Sequence, residues 1–194
     1  FQMYMANMKS IFMDMIKNTD MVIFNRCKKE DPLPTYRRGI KVANQRAEVI
    51  FEDEEGELGD IFQDEMPFDM NAPVIEILPE DYGIWFVDAM DHPENYEGKT
   101  VKFKARVMKP RGMGSKFFVP GRTAMTCCAD DTTFLGYVCK SAYAPKLTPG
   151  EWVEVTAKVG IEKRNEYQGE EGIVLSAEHV EQCDPLEDEM VYFN

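Results

Sequence analysis

The chain has 194 residues, an ordinary hydrophobic share of 44%, and a net charge of −13 from 35 acids and 22 bases. That is enough for one domain, or two small ones with a true core, and it excludes a disordered polypeptide. The acidic balance repels phosphate backbones and sets general nucleic-acid binding aside, and apolar runs such as Met21-Val22-Ile23-Phe24 are far too short to span a bilayer.

No charged-then-apolar signal segment opens the chain. It starts at Phe1 inside a helical pattern, so processing or a segment upstream is expected. Five cysteines (Cys27, Cys127, Cys128, Cys139, Cys183) share no repeated spacing. That is a poor disulfide framework and favours a reducing, cytoplasmic setting.

Tyr4, Met8, Ile11, Phe12, Met15 and Ile16 recur at helical spacing and predict an amphipathic helix over 2–18, its methionines serving as adaptable packing. Asn18-Thr19-Asp20 breaks it. Met21-Val22-Ile23-Phe24 reads as a buried strand, apolar on both faces as in a parallel sheet. Asp31-Pro32-Leu33-Pro34 starts a second helix, with Leu33, Tyr36, Ile40 and Ala43 inward and Arg37, Arg38, Lys41 and Arg46 wet. Residues 47–51 follow as a strand. Helix, strand, helix, strand at these lengths is at most half of a doubly wound α/β unit, because two strands make a poor sheet.

The runs 18–26 and 40–49 resemble the later half of a CobW/UreG-type P-loop GTPase, over residues 1–52. In that family a strand ends in Asn-Lys-x-Asp, whose Asn and Asp contact the guanine base. The matching tetrad here is Asn25-Arg26-Cys27-Lys28, which makes Asn25 and Arg26 the nucleotide-binding candidates and puts Lys28 where the Asp should stand. A cation cannot accept the hydrogen bonds that select guanine. No Gly-x-x-x-x-Gly-Lys-Ser/Thr occurs, so binding of GTP or another nucleotide requires a phosphate loop upstream. This chain alone is not expected to hydrolyse it. The alternative is an unrelated α/β pair with an Asn at a strand end.

Residues 53–73 are acidic and carry Gly56, Gly59, Pro67 and Pro73, so they read as a linker. The cluster at 52–57 lacks the alternate-position ligands of an EF-hand loop. Residues 74–77 form a short strand. Pro79-Glu80-Asp81 opens a helix carrying Ile84, Val87 and Met90, and His92-Pro93 ends it.

From Val101 onward the pattern changes to period two. Val101, Phe103, Ala105 and Val107 alternate with Lys102, Lys104, Arg106 and Met108. Further strands are predicted over 116–127 (with a bulge or bend at Pro120-Gly121), 132–140, 152–161 and 172–181. The fold class is therefore an α/β fragment (helix-strand-helix-strand, P-loop GTPase-like) followed by an all-β, OB-like five-stranded barrel over 74–194. Closure also removes the sheet edges that invite aggregation.

Tyr96-x-Gly98-Lys99, Phe118-Val119-x-Gly121-Arg122, Cys127-Cys128-Ala129-Asp130-Asp131, Trp152-Val153 and Pro185…Val191-Tyr192 resemble an uncharacterised bacterial domain over 74–194. That domain occurs beside predicted permeases and sometimes with CobW-type GTPases. The resemblance implies an OB-like fold and an accessory role in transport or metal handling.

Three features hold candidate chemistry. Cys127 and Cys128 are adjacent, and only a strand that ends there lets both thiolates and Asp130 or Asp131 face one ion, for which zinc is the suited metal. The other readings are a buried strand end beside an Asp turn and redox chemistry of the thiol pair. Second, Lys102, Lys104, Arg106, Lys109, Arg111, Lys116 and Arg122 occur with no acid between Val101 and Ala129. Arg122 with Phe118 is the candidate ligand or anion site on the barrel, and the alternative is a wet strand face balancing acidic neighbours. Third, His92 and His179 lack any nucleophile motif, so no catalytic residue is assigned.

Two function classes follow. One is a metallochaperone-like accessory protein related to CobW-type GTPases that serves a permease or a metalloprotein. The other is a non-enzymatic OB-fold module that docks a protein partner or a small anionic ligand.

Overall fold

The computed structural model describes residues 2–28, 30–59, 66–125 and 132–192, with side chains from residue 7 onward. Two compact units emerge: residues 1–65 with 124–133 and 192–194, and residues 66–123 with 134–191.

In the first unit, α1 (Gln2–Ile16), β1 (Met21–Phe24), α2 (Leu33–Ala43) and β2 (Glu48–Phe51) follow the predicted order. β1 and β2 are parallel, in register from Met21↔Glu48 to Phe24↔Phe51. Met13, Ile16, Phe24, Leu33, Ile40, Ala47 and Phe51 form the core. Phe24 stacks on Phe51 at 5.0 Å and on Tyr36 at 5.7 Å between ring centroids. The Asn44 side-chain amide donates to the carbonyls of Ile16 and Thr19, both at 2.8 Å, and so fastens the end of α2 to the end of α1.

Two expectations about burial fail in this unit. α1 is kinked at Met8, where φ is −136° and ψ 24°, so the predicted single stripe loses its phase. Met13 and Ile16 are buried, whereas Met8, Ile11 and Met15 are exposed; the Tyr4 side chain lies outside those described. β1 is covered on one face only. Phe24 is buried, but Met21 and Ile23, which alternation puts on the opposite face, are exposed.

The second unit contains β3 (Ile75–Glu76), a 3-10 turn (Pro79–Asp81), α3 (Tyr82–Asp91), β4 (Thr100–Met108), β5 (Phe117–Met125), β6 (Thr132–Gly136), β7 (Val138–Lys140), β8 (Trp152–Lys163), β9 (Glu171–Gln182) and β10 (Met190–Val191). The ends of β5 and β6 run into the first unit. β4 pairs antiparallel with both β5 and β8, β8 with β9, and β5 with β7, and a parallel β7–β9 contact completes the ring. This is a closed five-stranded mixed barrel of the OB type. β3 adds to β4, while β6 and β10 add to β5.

Alternation fills the barrel as the sequence predicts. Val101, Phe103, Ala105 and Val107 of β4 and Val153, Val155, Ala157 and Val159 of β8 are all buried. α3 packs with a stripe one position away from the predicted one. Tyr82, Trp85, Phe86 and Ala89 are buried along with Val87, whereas Ile84 and Met90 are half-buried. Aromatic surface decides the helix's rotation: Trp85 meets Phe103 at 4.9 Å and Tyr137 at 5.6 Å, and Phe86 stacks on Tyr137 at 4.8 Å. The predicted third strand divides at Tyr137 into β6 and β7, and the Tyr137 hydroxyl donates to the Phe86 carbonyl.

At Pro120-Gly121, β5 keeps its register with β4, Arg106 facing Gly121 and Val107 facing Pro120. The glycine serves close approach instead of a bulge. A side chain on Gly121 would overlap the Leu135 carbonyl and the Phe134 ring. The register shift in the barrel lies on β8–β9, between Thr156 and Ala157.

Candidate functional site

Arg122 and Phe118, the predicted ligand pair, both lie on β5 inside the protein, at 2% and 0% exposure. Arg122 extends toward backbone. Its guanidinium donates to the carbonyl of Pro79 and to those of Asp188 (3.0 Å) and Met190 (3.1 Å), with Cζ 5.6 Å from the Tyr82 ring centroid. Burial pulls its pKa down, partly opposed by Tyr82, Asp188 and Glu80. These contacts make Arg122 a clamp between β5, the turn before α3 and the C-terminal strand.

The rest of the predicted basic stripe divides in two. Lys102 pairs with Glu154 on β8 at 3.0 Å, and that bond holds the lysine's pKa above its usual value. Arg106 donates to the Gly150 carbonyl and lies 3.7 Å from Glu189. Here the stripe is a wet strand face matched to acids. Farther along, Arg111 and Lys116 are exposed in the β4–β5 loop (109–116), their side chains with no partner among the described residues.

That loop faces the β8–β9 loop (164–170) across a cleft of ≈ 600 Å³, within the range of small-molecule sites. Pro110 to Gly114 and Phe117 line one side and Lys163 to Glu166 the other. Its titratable lining is three cations (Arg111, Lys163, Arg164) against one acid (Glu166), the reverse of the chain's overall balance.

Local sequence fixes both walls. Gly112 has φ +86°, and Gly114 lies against the Phe117 ring. On the other wall a 3-10 turn over Asn165–Tyr167 is followed by Gln168 and Gly169, both left-handed, and Gly169 N–H donates back to the Arg164 carbonyl at 2.9 Å. Tyr167 anchors this loop. Its hydroxyl donates to the Ile173 carbonyl and accepts from Val138 N–H at 3.3 Å. Gly172 is needed beneath it, since a Cβ there would stand 2.6 Å from the Tyr167 ring.

Arg164 is the most constrained side chain of the cleft, 16% exposed. Its Cζ sits 4.3 Å from the Phe117 ring centroid. Its Nε and Nη2 donate to the two carboxylate oxygens of Glu166 at 3.2 and 3.0 Å, and Nη1 is 3.7 Å from Glu162. Hydrogen bonding to Glu166 raises the Arg164 pKa and lowers that of Glu166. The cleft thus presents an aromatic face, one oriented guanidinium and two unpaired cations, a set that can hold an oxyanion.

None of the remaining candidates is among the residues that line this cleft. Asn25 and Arg26 are exposed just after β1, and Arg26 has φ +57°. Cys127, Cys128 and Asp130 lie outside the described residues. Among the described residues no group of three His, Cys, Asp or Glu side chains is arranged to hold a metal. His92 lies 3.8 Å from Glu94 and His179 3.2 Å from Glu181, each a local acidic pair. Sequence reading flagged Arg111 but missed Lys163, Arg164 and Glu166. The available signal was topological, because the first and last hairpin loops of an OB barrel meet at its ligand face.

Residues 57–193 match the DUF1980 C-terminal domain. No curated protein matches the chain in sequence. Among solved structures, the Saccharomyces cerevisiae mitochondrial single-stranded DNA binding protein Rim1 is similar at 10% identity and a TM-score of 0.27, over 45% of this chain and 97% of that one. A putative aspartyl-tRNA synthetase from Leishmania major is similar at 18% identity and a TM-score of 0.30, over 59% of this chain and 21% of that chain. The Entamoeba histolytica aspartyl tRNA synthetase is similar at 15% and 0.31, over 61% and 27%. None of these comparisons supports the CobW/UreG resemblance over residues 1–52.

Proposed function

The chain belongs to the DUF1980 C-terminal domain family, and from that premise we propose that its barrel is a non-enzymatic binding module of the OB type that takes a small anionic ligand. The observation that carries this reading is the concentration of cations on one cleft of an otherwise acidic chain. Arg111, Lys163 and Arg164 line that cleft together with Phe117, between the two loops that OB barrels use for ligands. The cluster of like charges attracts an anion, and the negative charge elsewhere on the chain disfavours long polyanions.

The test is titration of ¹⁵N-labelled protein with orthophosphate, citrate, maltose and a short oligothymidylate. Phosphate or citrate is expected to shift the amides of 111–117 and 163–166. The double variant Arg111→Gln/Lys163→Gln is expected to weaken binding roughly five- to tenfold, about 1 kcal/mol for two solvent-screened charges. Amide shifts confined to other surfaces, or unchanged affinity in the double variant, would refute the reading.

A further inference from the structure

Resting on the binding reading above, we infer that Arg164 is the specificity-determining residue of the cleft, and that Glu166 is a built-in competitor which a ligand oxyanion must displace. The ligand class is then an anion with a planar or tetrahedral oxyanion head, a carboxylate or a phosphate.

The geometry leads there in three steps. A guanidinium binds oxyanions best through two parallel N–H groups, and that edge of Arg164 is already filled by both oxygens of Glu166, at 3.2 and 3.0 Å. The Phe117 ring, its centroid 4.3 Å from Arg164 Cζ, supports the guanidinium while the partner on its edge changes. The side chains of Arg111 and Lys163, on the same cleft, have no ion pair or hydrogen bond among the described residues. A ligand oxyanion therefore meets two unneutralised cations and exchanges with one carboxylate. Glu166 follows Arg164 by only two residues and lies in the 3-10 turn, so it can swing into solvent without unfolding the loop.

A merely structural Arg164–Glu166 pair predicts that removing the acid loosens the loop and weakens whatever binds. A competitor predicts the reverse. Orthophosphate and succinate are titrated separately into the full chain, its Glu166→Gln variant and its Arg164→Lys variant. Affinity is read from cleft amides, and the Arg164 Nε–H resonance reports on its partner. Glu166→Gln is expected to tighten the preferred anion five- to tenfold, and Arg164→Lys to weaken it at least fivefold with unchanged thermal stability, since lysine cannot present a fork. The tighter of the two arms identifies phosphate or carboxylate chemistry.

Unchanged or weaker binding in Glu166→Gln, while the wild-type cleft still responds, overturns the competitor and leaves the binding module standing. Silence toward both anions in wild type and Glu166→Gln overturns the inference. If citrate, maltose and oligothymidylate leave the cleft silent as well, the module reading falls with it.

Discussion

Replacing Arg122 by methionine keeps most of the buried stem and removes the charge and the donors. Wild-type Arg122 makes three hydrogen bonds to carbonyls, those of Pro79, Asp188 and Met190. At about 1 kcal/mol net for each bond, the loss approaches 3 kcal/mol. A contact with the Tyr82 ring adds roughly 0.5–1 kcal/mol. Opposing this, the variant no longer has to strip water from a guanidinium that is 2% exposed, and such relief commonly returns 1 kcal/mol or more. The net expectation is about 2–3 kcal/mol of destabilisation for Arg122→Met. Arg122→Ala should cost more, because it opens a cavity as well. Both tryptophans, Trp85 and Trp152, lie in the barrel unit, so urea unfolding followed by tryptophan fluorescence isolates its transition. Hydrogen exchange at Met190 and Val191 should accelerate in parallel as the clamp on β10 is released. A loss below 0.5 kcal/mol with unchanged protection at those amides would refute the clamp.

Gly136→Ala is expected to cost about 2 kcal/mol or more, because the new methyl would stand 2.6 Å from the Pro120 carbonyl, a backbone atom that cannot step aside; thermal melting checks it. Tyr82→Phe should lose about 1 kcal/mol, since it removes the 3.0 Å donor to the buried Leu135 carbonyl, and urea unfolding measures it. Burial pushes the Cys139 thiol up to about 12 from an ordinary 9.0. The folded state therefore holds this proton more tightly than the unfolded state, and the associated stability is intact below pH 9 and lost as pH rises from about 9 to 12. Buried Tyr82 and Tyr137, also raised by desolvation, add to that alkaline loss. A melting temperature that stays flat from pH 8 to 11 would contradict it, as would rapid labelling of folded Cys139 by a thiol reagent at pH 8.

The barrel was legible because period-two alternation in β4 and β8 is set by one buried face, a local property that survives without tertiary information; β9 departs from it, with Ile173, Val174 and Leu175 buried in succession and Ala177 half-buried. Element order in the first unit was legible for a similar reason. Misreadings arose where long-range packing overrides a local pattern. The stripe of α3 follows its aromatics toward Phe103 and Tyr137, partners far away in sequence, so Ile84 and Met90 lose the central place that spacing alone gives them. Arg122 looked like a ligand residue because its carbonyl partners lie 43 to 68 residues away and carry no sequence mark. Lys163, Arg164 and Glu166 carry no motif of their own, and only the topology brings their loop opposite 109–116.

Strand order also governs when this protein can fold as it is made. β4 must wait for β8, about 50 positions later (Ala105 faces Val153), and the parallel seam needs β9, so the cylinder cannot shut until Gln182 has been synthesised. During that interval β4 has β5 and the short β3 beside it, but the long edge that β8 will cover is bare backbone on a translating ribosome. The lysines and arginines on the outward positions of β4 give that nascent hairpin like charges that keep neighbouring chains apart until the last strand arrives.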